Sequence, residues 1–499
     1  FPFGLHLSEG FGIYLLGEIF IAMGCNAMLA TQLGFLLLYT VSFFSMKWLI
    51  EHISGSSAIA AVCVILFFFD PFLTAQRGIP YMLYGILMLP AVLVVEYKNC
   101  NRFICKEEKK FDGVLWGANL IIKLIAVSMG WYIAVISAVA TCIIALIYII
   151  QEIHQKKLGV KHSAKVYLLY VVSPWIISMF AIIAITPSTV TDAVFATETY
   201  LGSAIDSSTL FLPDSGQFIA NIFPTATDLL GGESLTGDGT MWSNYLGVTM
   251  VIVAVYLLFQ KGTHETLKRA LIVVGLIGLI LSFGPGIKFL AGVAADEVPQ
   301  YEYSLENVLV FPWAKAFPNI FPLSMMRATY RWIVITKVSL ILLFSIFLKT
   351  IRGIHTKLAL FVACLAIIEF LPTKTNFTYN MEALGRLNET YACTIDDLAE
   401  IREDLEISGE ETAVFLTYDH SSNAFLIPLI SYEMGFNSYT GTVDKSLAVA
   451  NQYLPEDIRE IQSQSDPEML AKIITQIGER QTCDFIFFPY FDLREQNTW

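Results

Sequence analysis

The sequence predicts an α-helical polytopic membrane protein of about ten spans with a small C-terminal α/β domain. Three observations carry that expectation. Hydrophobic residues make up 55% of the chain and charged residues 15%, with a mean hydropathy of +0.60; a soluble domain averages roughly 45–50% apolar and about 25% charged. Apolar stretches recur that approach the roughly 20 residues a helix needs to cross a bilayer. The lysines and arginines between them fall in every second loop, the asymmetry that decides which side of a membrane a loop occupies.

In order, the predicted spans are 30–48, 56–75, 79–96, 113–129, 132–150, 166–186, 242–259, 270–287, 332–349 and 357–372. Lys98, Arg102, Lys106, Lys109 and Lys110 share one short loop; Lys156, Lys157, Lys161 and Lys165 share the loop two spans later. Lys261, Lys268 and Arg269 follow, then Lys349, Arg352 and Lys357, with Lys47 and His52 on the same side. These loops are expected to face the cytoplasm. The loop 187–240 has no Lys or Arg but carries Asp192, Glu198, Asp206, Asp214, Asp228, Glu233 and Asp238, so it is expected outside. The same parity places 373–499 outside. Ahead of the first span, 11–26 is apolar but holds Glu18 near its middle, and a carboxylate at the bilayer centre costs several kcal/mol. We expect an interfacial or re-entrant helix there; the alternative is a crossing with Glu18 buried in the bundle. The chain opens on Phe1 rather than Met, so an earlier span is expected upstream.

The net charge of −13 argues against a nucleic-acid partner. The eight cysteines form no zinc-like set, since Cys100 and Cys105 share a loop without further ligands at metal spacing. Cys25, Cys63, Cys142 and Cys364 lie in apolar stretches and read as small core residues. Cys393 and Cys483 both fall in the tail, where either a disulfide or two free thiols fits an outer compartment.

From 373 the hydropathy falls. Ile395, Leu398, Ile401 and Leu405 make one helical stripe in 394–407, and Leu470, Ile473, Ile474 and Ile477 another in 466–481. Residues 411–418 and 484–490 read as buried strands. Strands alternating with amphipathic helices predict a small α/β layer over 373–499, after a membrane domain over 1–372. The tail holds neither a Gly-rich phosphate loop nor a nucleophile motif and suits a lid or acceptor-binding role.

Arg327 and Arg331 stand four apart where a loop enters a helix, a spacing that puts two guanidinium groups on one helical face. Guanidinium matches phosphate oxygens bidentately, so the pair suits a lipid-linked phosphate; the alternative is anchoring at headgroup level beside Trp332. Lys123 and Lys337 lie inside apolar spans, where a lysine either serves a cavity or pairs locally. His6 and Glu9 flank the N-terminal segment, where a carboxylate would serve as base or metal ligand or be solvated. Asp70 and Arg77 share a short outer loop and either act on phosphate or pair with each other. Asp206 and Asp214 would bind sugar hydroxyls or a divalent cation, or remain ordinary loop acids.

Four stretches in order carry a resemblance: FPFG with the apolar run after it; RGIPYMLYGILMLPAVLVV; SAIDSSTLFLPDSGQF followed by YLGVTMVIVAVYLL; and LSFGPGIKFLAG with PWAKAFPNIFPLSMMRATYRWIVI. Their order resembles the GT-C superfamily of membrane glycosyltransferases, especially its bacterial YfhO-like branch, across nearly the whole chain. The resemblance implies sugar transfer on the extracytoplasmic face, from a polyprenyl-phosphate-linked sugar to a cell-envelope glycan or protein acceptor, within the lipid bilayer of the cell membrane. It implies a carboxylate base in the first outer loop, sometimes with a divalent cation such as Mg or Mn, and spaced arginines on the departing lipid phosphate, matched by Arg327 and Arg331. That base normally precedes the FPFG position, so it is expected upstream of Phe1, with Glu9 as the nearest substitute. Lys123, Lys337 and Arg77 are added on physical grounds alone. Ile79 follows Gly78 where relatives often have His. The competing readings are a transporter or flippase for a lipid-linked glycan, which should show inverted repeats, and a non-catalytic membrane protein on a GT-C-like body.

Overall fold

The computed structural model describes residues 11–373 except 79, 106–111, 156–158, 186–195, 232, 238, 261–263, 294–302, 316 and 321–322, and further on 400–405, 411–415, 438–441, 467–480 and 484–487. The chain divides into two compact units.

The larger unit comprises Ser8–Ser188 and Asp192–Phe377 and is mostly helical. Its helices are α1 Phe11–Ala22, α2 Ala27–Ser54, α3 Ser57–Phe68, α4 Pro71–Ala75, α5 Pro80–Asn99, α6 Gly113–Met129, α7 Trp131–His154, α8 Val160–Val166, α9 Ser173–Ile185, α10 Thr197–Gly202, α11 Ala226–Leu229, α12 Val248–Phe259, α13 Glu265–Ser282, α14 Ile333–Arg352 and α15 Thr356–Phe370. Among the described residues, five helical stretches are long and apolar enough to cross a membrane: Leu29–Ser54, Met82–Ile104, Trp131–His154, His162–Ile182 and Thr329–Arg352. Ser57–Phe68, Gly113–Met129 and Val248–Phe259 are apolar but shorter. The protein is thus a helical, membrane-associated protein.

Polar side chains set many of the helix starts. Asn26, Ser56, Asp70 and Asp112 accept backbone N–H bonds at the N-termini of α2, α3, α4 and α6, groups that no helix can satisfy from within. The predicted span 56–75 is broken where Asp70 stops α3 and caps α4 with Pro71 in its first turn. The predicted 242–259 begins as helix only at Val248, because Gly247 adopts φ 79°. A Cβ on Gly247 would stand 2.5 Å from the Phe370 ring, so backbone and packing both require glycine. Likewise 270–287 gives way to 265–282, since Gly284 at φ 60° and Pro285 turn the chain. Two π-helical stretches, Cys100–Cys105 after α5 and Tyr167–Val172 between α8 and α9, were not foreseen.

The short α1 has 12 residues, about 18 Å at 1.5 Å per residue against a hydrocarbon core of roughly 30 Å. Glu18 is exposed, so the alternative of a carboxylate buried in the bundle does not hold. Among the cysteines, Cys63 is buried as expected, Cys25 and Cys142 are half-buried, and Cys364 is exposed, correcting its reading as a core residue. Cys100, expected in a loop, is buried. Cys393 and Cys483 lie outside the described residues.

At the centre, α14 is buried along nearly its whole length and packs on α13, α12, α3 and α2. Its approach to α13 is close: a Cβ on Gly278 would meet Ile335 at 2.5 Å and the Trp332 carbonyl at 2.9 Å, and Thr336 donates to the Gly275 carbonyl at 2.9 Å. The far end of α14 gathers basic residues. Lys349 donates to the Ile53 carbonyl and lies 2.9 Å from His264 Nε2; Arg352 donates to Ser56; Lys98 lies 4.7 Å from the Trp48 ring centroid. We call this the basic end. Its opposite is a loop layer built from 196–247 and 284–332, in which β1 Ser234–Leu235 pairs antiparallel with β3 Gly292–Val293, and β2 Gly286–Ile287 with β4 Leu309–Val310.

The second unit comprises Phe1–Leu7, Thr189–Thr191 and Thr378–Trp499. Its described part is a three-stranded parallel sheet in the order β6–β5–β7, with β5 Thr412–Phe415 between β6 Ser438–Gly441 and β7 Phe485–Phe487, plus the helix α16 Pro467–Arg480. Ile473 and Ile477 are buried in α16, while Ile401 and Leu405 of the other predicted stripe are exposed. The strand β6 had no sequence forecast.

Candidate functional site

The loop layer sets the segment that leads into α14. Tyr200 of α10 donates its hydroxyl to the Ser324 carbonyl at 2.6 Å and packs edge-on to Phe317. The Tyr330 backbone N–H donates to the Ser203 carbonyl at 3.1 Å, and Thr329 donates to the Tyr200 and Ser203 carbonyls. This pinning holds Arg331 in a tight turn, Thr329–Trp332, at 7% exposure. Its guanidinium lies 4.4 Å from the Tyr132 ring centroid, at the start of α7, and 5.6 Å from that of Tyr330. A planar cation on an aromatic face keeps its N–H edge geometry while the ring shields it from water.

Arg327 is half-buried, and its charge acts on the Tyr200 hydroxyl, whose pKa burial raises. The expected shared helical face is not formed. Ala328 sits at φ −78°, ψ 75°, outside the helical region, so Arg327 precedes the turn that carries Arg331. The four-residue spacing places two guanidinium groups one turn apart only where the intervening backbone is helical.

Both lysines of the apolar helices have carboxylate partners. Lys337 of α14 donates to Asp70 Oδ1 at 2.9 Å and Oδ2 at 3.1 Å, and to the Tyr245 carbonyl at 2.9 Å. Asp70 also caps Phe72, so the pair ties α3, α4 and α14 to the loop before α12. A small apolar cleft opens beside it, lined by Phe67, Leu73, Ile86 and Ile341. The reading in which Asp70 pairs with Arg77 is corrected: Asp70 takes Lys337, and Arg77 is exposed in the turn Gln76–Gly78.

Lys123 of α6 donates to Glu96 at 3.2 Å and to the Val171 carbonyl at 3.1 Å, 5.0 Å from the Trp175 ring centroid. Trp116 and Asn119, on the same face of α6, donate to the Leu169 and Tyr170 carbonyls. The π-helical stretch is the cause, because its changed register leaves carbonyls for side chains to satisfy. Glu96 Oε1, Asn99 Oδ1 and Asn119 Oδ1 are buried in this seam and meet no hydrogen-bond partner of good geometry among the described residues.

The loop acids accept from backbone N–H groups and from hydroxyls. Asp206 accepts from the N–H groups of Ser208, Leu290 and Ala291 and from the Ser208 hydroxyl. Asp214 accepts from Gly216 N–H and the Ser243 hydroxyl. Asp206 accepts four bonds, which use the lone pairs a cation would need, whereas Asp214 accepts two and ties the loop to Ser243. Among the described residues no group of three or more His, Cys, Asp or Glu comes together. His6 and Glu9 lie outside the described residues.

Sequence reasoning missed Lys288. It is fully buried, donates to Thr236 at 2.7 Å and to the Gly202 carbonyl at 3.2 Å, and burial lowers its pKa to about 7 against the nearby Asp206 charge. It also missed Glu369, whose carboxylate accepts from the Thr249 N–H and hydroxyl and so caps α12 from α15. A carboxylate inside the apolar run 357–372 was the available signal for the second; the first has no sequence signal beyond a lone lysine after a Gly-Pro turn.

The fold and these residues define a helical membrane protein whose loop layer holds one arginine on an aromatic bed and another beside a buried tyrosine. The comparisons with known proteins match no family model, no curated protein and no solved structure.

Proposed function

We propose that the protein is an integral membrane glycosyltransferase that moves a sugar from a polyprenyl-phosphate donor to a cell-envelope glycan or protein acceptor on the outer face, with about ten crossings and the tail 373–499 on that side. The ordered motifs that resemble the GT-C superfamily support the class. The basic residues gathered at one end of α14 support the sidedness, since cytoplasmic loops carry the excess of Lys and Arg.

The observation that carries the chemistry is Arg331, buried to 7% exposure against Tyr132 at the loop-layer end of a central helix. A guanidinium held there, with Arg327 nearby in sequence, suits the negative charge that builds on a departing lipid phosphate. Such preorganised stabilisation is worth roughly 10²–10³ in rate per donor. General-base help on the acceptor hydroxyl, worth roughly 10²–10⁴, would come from a residue outside the described ones. Lys123 and Lys337 are assigned instead to structural ion pairs. A second reading, a non-catalytic body that binds a lipid phosphate, draws support from Asp206, whose carboxylate is taken up by Ser208, Leu290 and Ala291.

The test is sugar transfer from labelled polyprenyl-phosphate sugar in vesicles made with full-length protein. Arg331→Ala should lower turnover about 100-fold, and Arg331→Lys should restore little of it, because an ammonium lacks the planar stacking geometry. Unchanged turnover in Arg327→Ala and Arg331→Ala would remove both from the donor site. Donor binding without any transfer would favour the second reading.

A further inference from the structure

We infer that the loop Phe218–Phe223 is seated in the lipid of the leaflet at the loop-layer end, as a membrane-inserted edge rather than part of an aqueous loop. The sequence places it within the acid-rich stretch 187–240, expected in water. The structure ties it to the end of an apolar helix instead. The Phe218 N–H donates to the Leu371 carbonyl at 2.7 Å, Thr373 N–H to the Gly216 carbonyl at 2.9 Å, and Gln217 Nε2 to the Glu369 carbonyl at 2.8 Å. The bonds to Leu371 and Glu369 satisfy carbonyls at the C-terminal end of α15 that helices leave open.

The exposed faces of α12 and α15 are apolar, with Ile252, Val255, Phe361, Leu365 and Ile368 outward. That apolar surface continues past Leu371 onto the loop. Phe218 is 43%, Ile222 67% and Phe223 57% exposed, while Ile219 turns inward at 7%. Three large apolar side chains in so short a turn form a patch that water would not favour and acyl chains would.

Irregular backbone survives near hydrocarbon only when its polar groups are paired. Here several are paired within the turn: Ala220 N–H donates to the Gln217 carbonyl, Ile222 and Phe223 N–H groups to the Ile219 carbonyl, and Asn221 Nδ2 to the Phe218 carbonyl. The first charge after the loop, Asp228, is held in a capping box with Thr225. Burial of about 5–10 Å into the headgroup–acyl boundary is the depth such amphipathic segments reach.

The test places p-benzoylphenylalanine at Phe223 of the full chain, reconstituted in phosphatidylcholine–phosphatidylglycerol vesicles. After irradiation, peptide–lipid adducts are measured by mass. The same probe at Ile252 marks lipid contact, and at Glu306, an exposed acid of the loop layer, marks water. The yield of lipid adduct at Phe223 should exceed that at Glu306 at least fivefold. A smaller ratio, or adducts to a second copy of the chain, overturns the inference. Should the Phe223 variant fail to fold, the probe at Phe218 is read by the same criterion.

Discussion

Lys123 and Lys337 sit among apolar helices, each against a carboxylate, whereas Arg331, at the loop-layer end of α14, rests on the faces of Tyr132 and Tyr330. All three were prominent in the sequence as cations near or within spans. Their surroundings separate them. In the helical interior a lysine without a counter-charge is expensive, so the fold consumes each in a pair. In the loop layer an aromatic bed holds the guanidinium in place. The two lysines are thus engaged as ion pairs between helices, and the proposed phosphate role falls to the arginines of the loop layer.

The sharpest way to break that distinction is Lys337→Met. It leaves Asp70 buried without its two bonds and should destabilise the fold by about 3–5 kcal/mol, read by unfolding in mixed micelles. The double variant with Asp70→Asn should recover most of the loss. A stable Lys337→Met protein with lost activity would instead move Lys337 into the donor site.

Lys123→Met should cost less, about 1.5–3 kcal/mol, because Glu96 loses one bond rather than two. Equal losses at the two sites, in the same assay, would mean that bond count does not set the difference.

A pH-dependent effect belongs to Lys288. Its folded pKa of about 7 lies below the ordinary 10.5. Below about pH 7 both states hold the proton. Between about 7 and 10.5 the unfolded chain binds a proton that the folded chain does not, so this residue makes stability rise with pH, by at most about 1.4 kcal/mol per pH unit. Lys288→Met should flatten that part of the stability–pH curve relative to the unsubstituted protein; identical slopes would contradict the assignment.

Much of the helical layout was legible in the sequence. The forecast 113–129 coincides with α6, and 332–349 and 357–372 fall within a few residues of α14 and α15. Hydrophobic runs report such elements directly. Interruptions were harder, since Asp70-Pro71 and Gly247 each lie inside an apolar run whose composition outweighs them. The ion pairs were illegible, because Glu96 with Lys123 and Asp70 with Lys337 join separate helices. The π-helical seam that receives Trp116, Asn119 and Lys123 has no compositional mark either. Of the candidate site, the arginines were found by residue type and position, but their geometry depends on Ala328, whose non-helical backbone no spacing rule reveals.

The division between a basic end and an arginine-bearing loop layer is the claim on which the functional reading depends, and impermeant maleimide labelling in intact cells tests it directly. Cysteine is placed at Asn319 in the loop layer or at His355 beyond α14, both exposed, with the unsubstituted chain as the blank for exposed Cys364. Labelling of Asn319→Cys in intact cells, and of His355→Cys only after permeabilisation, is the predicted outcome. The reverse pattern would put the arginines in the cytoplasm and contradict transfer on the outer face.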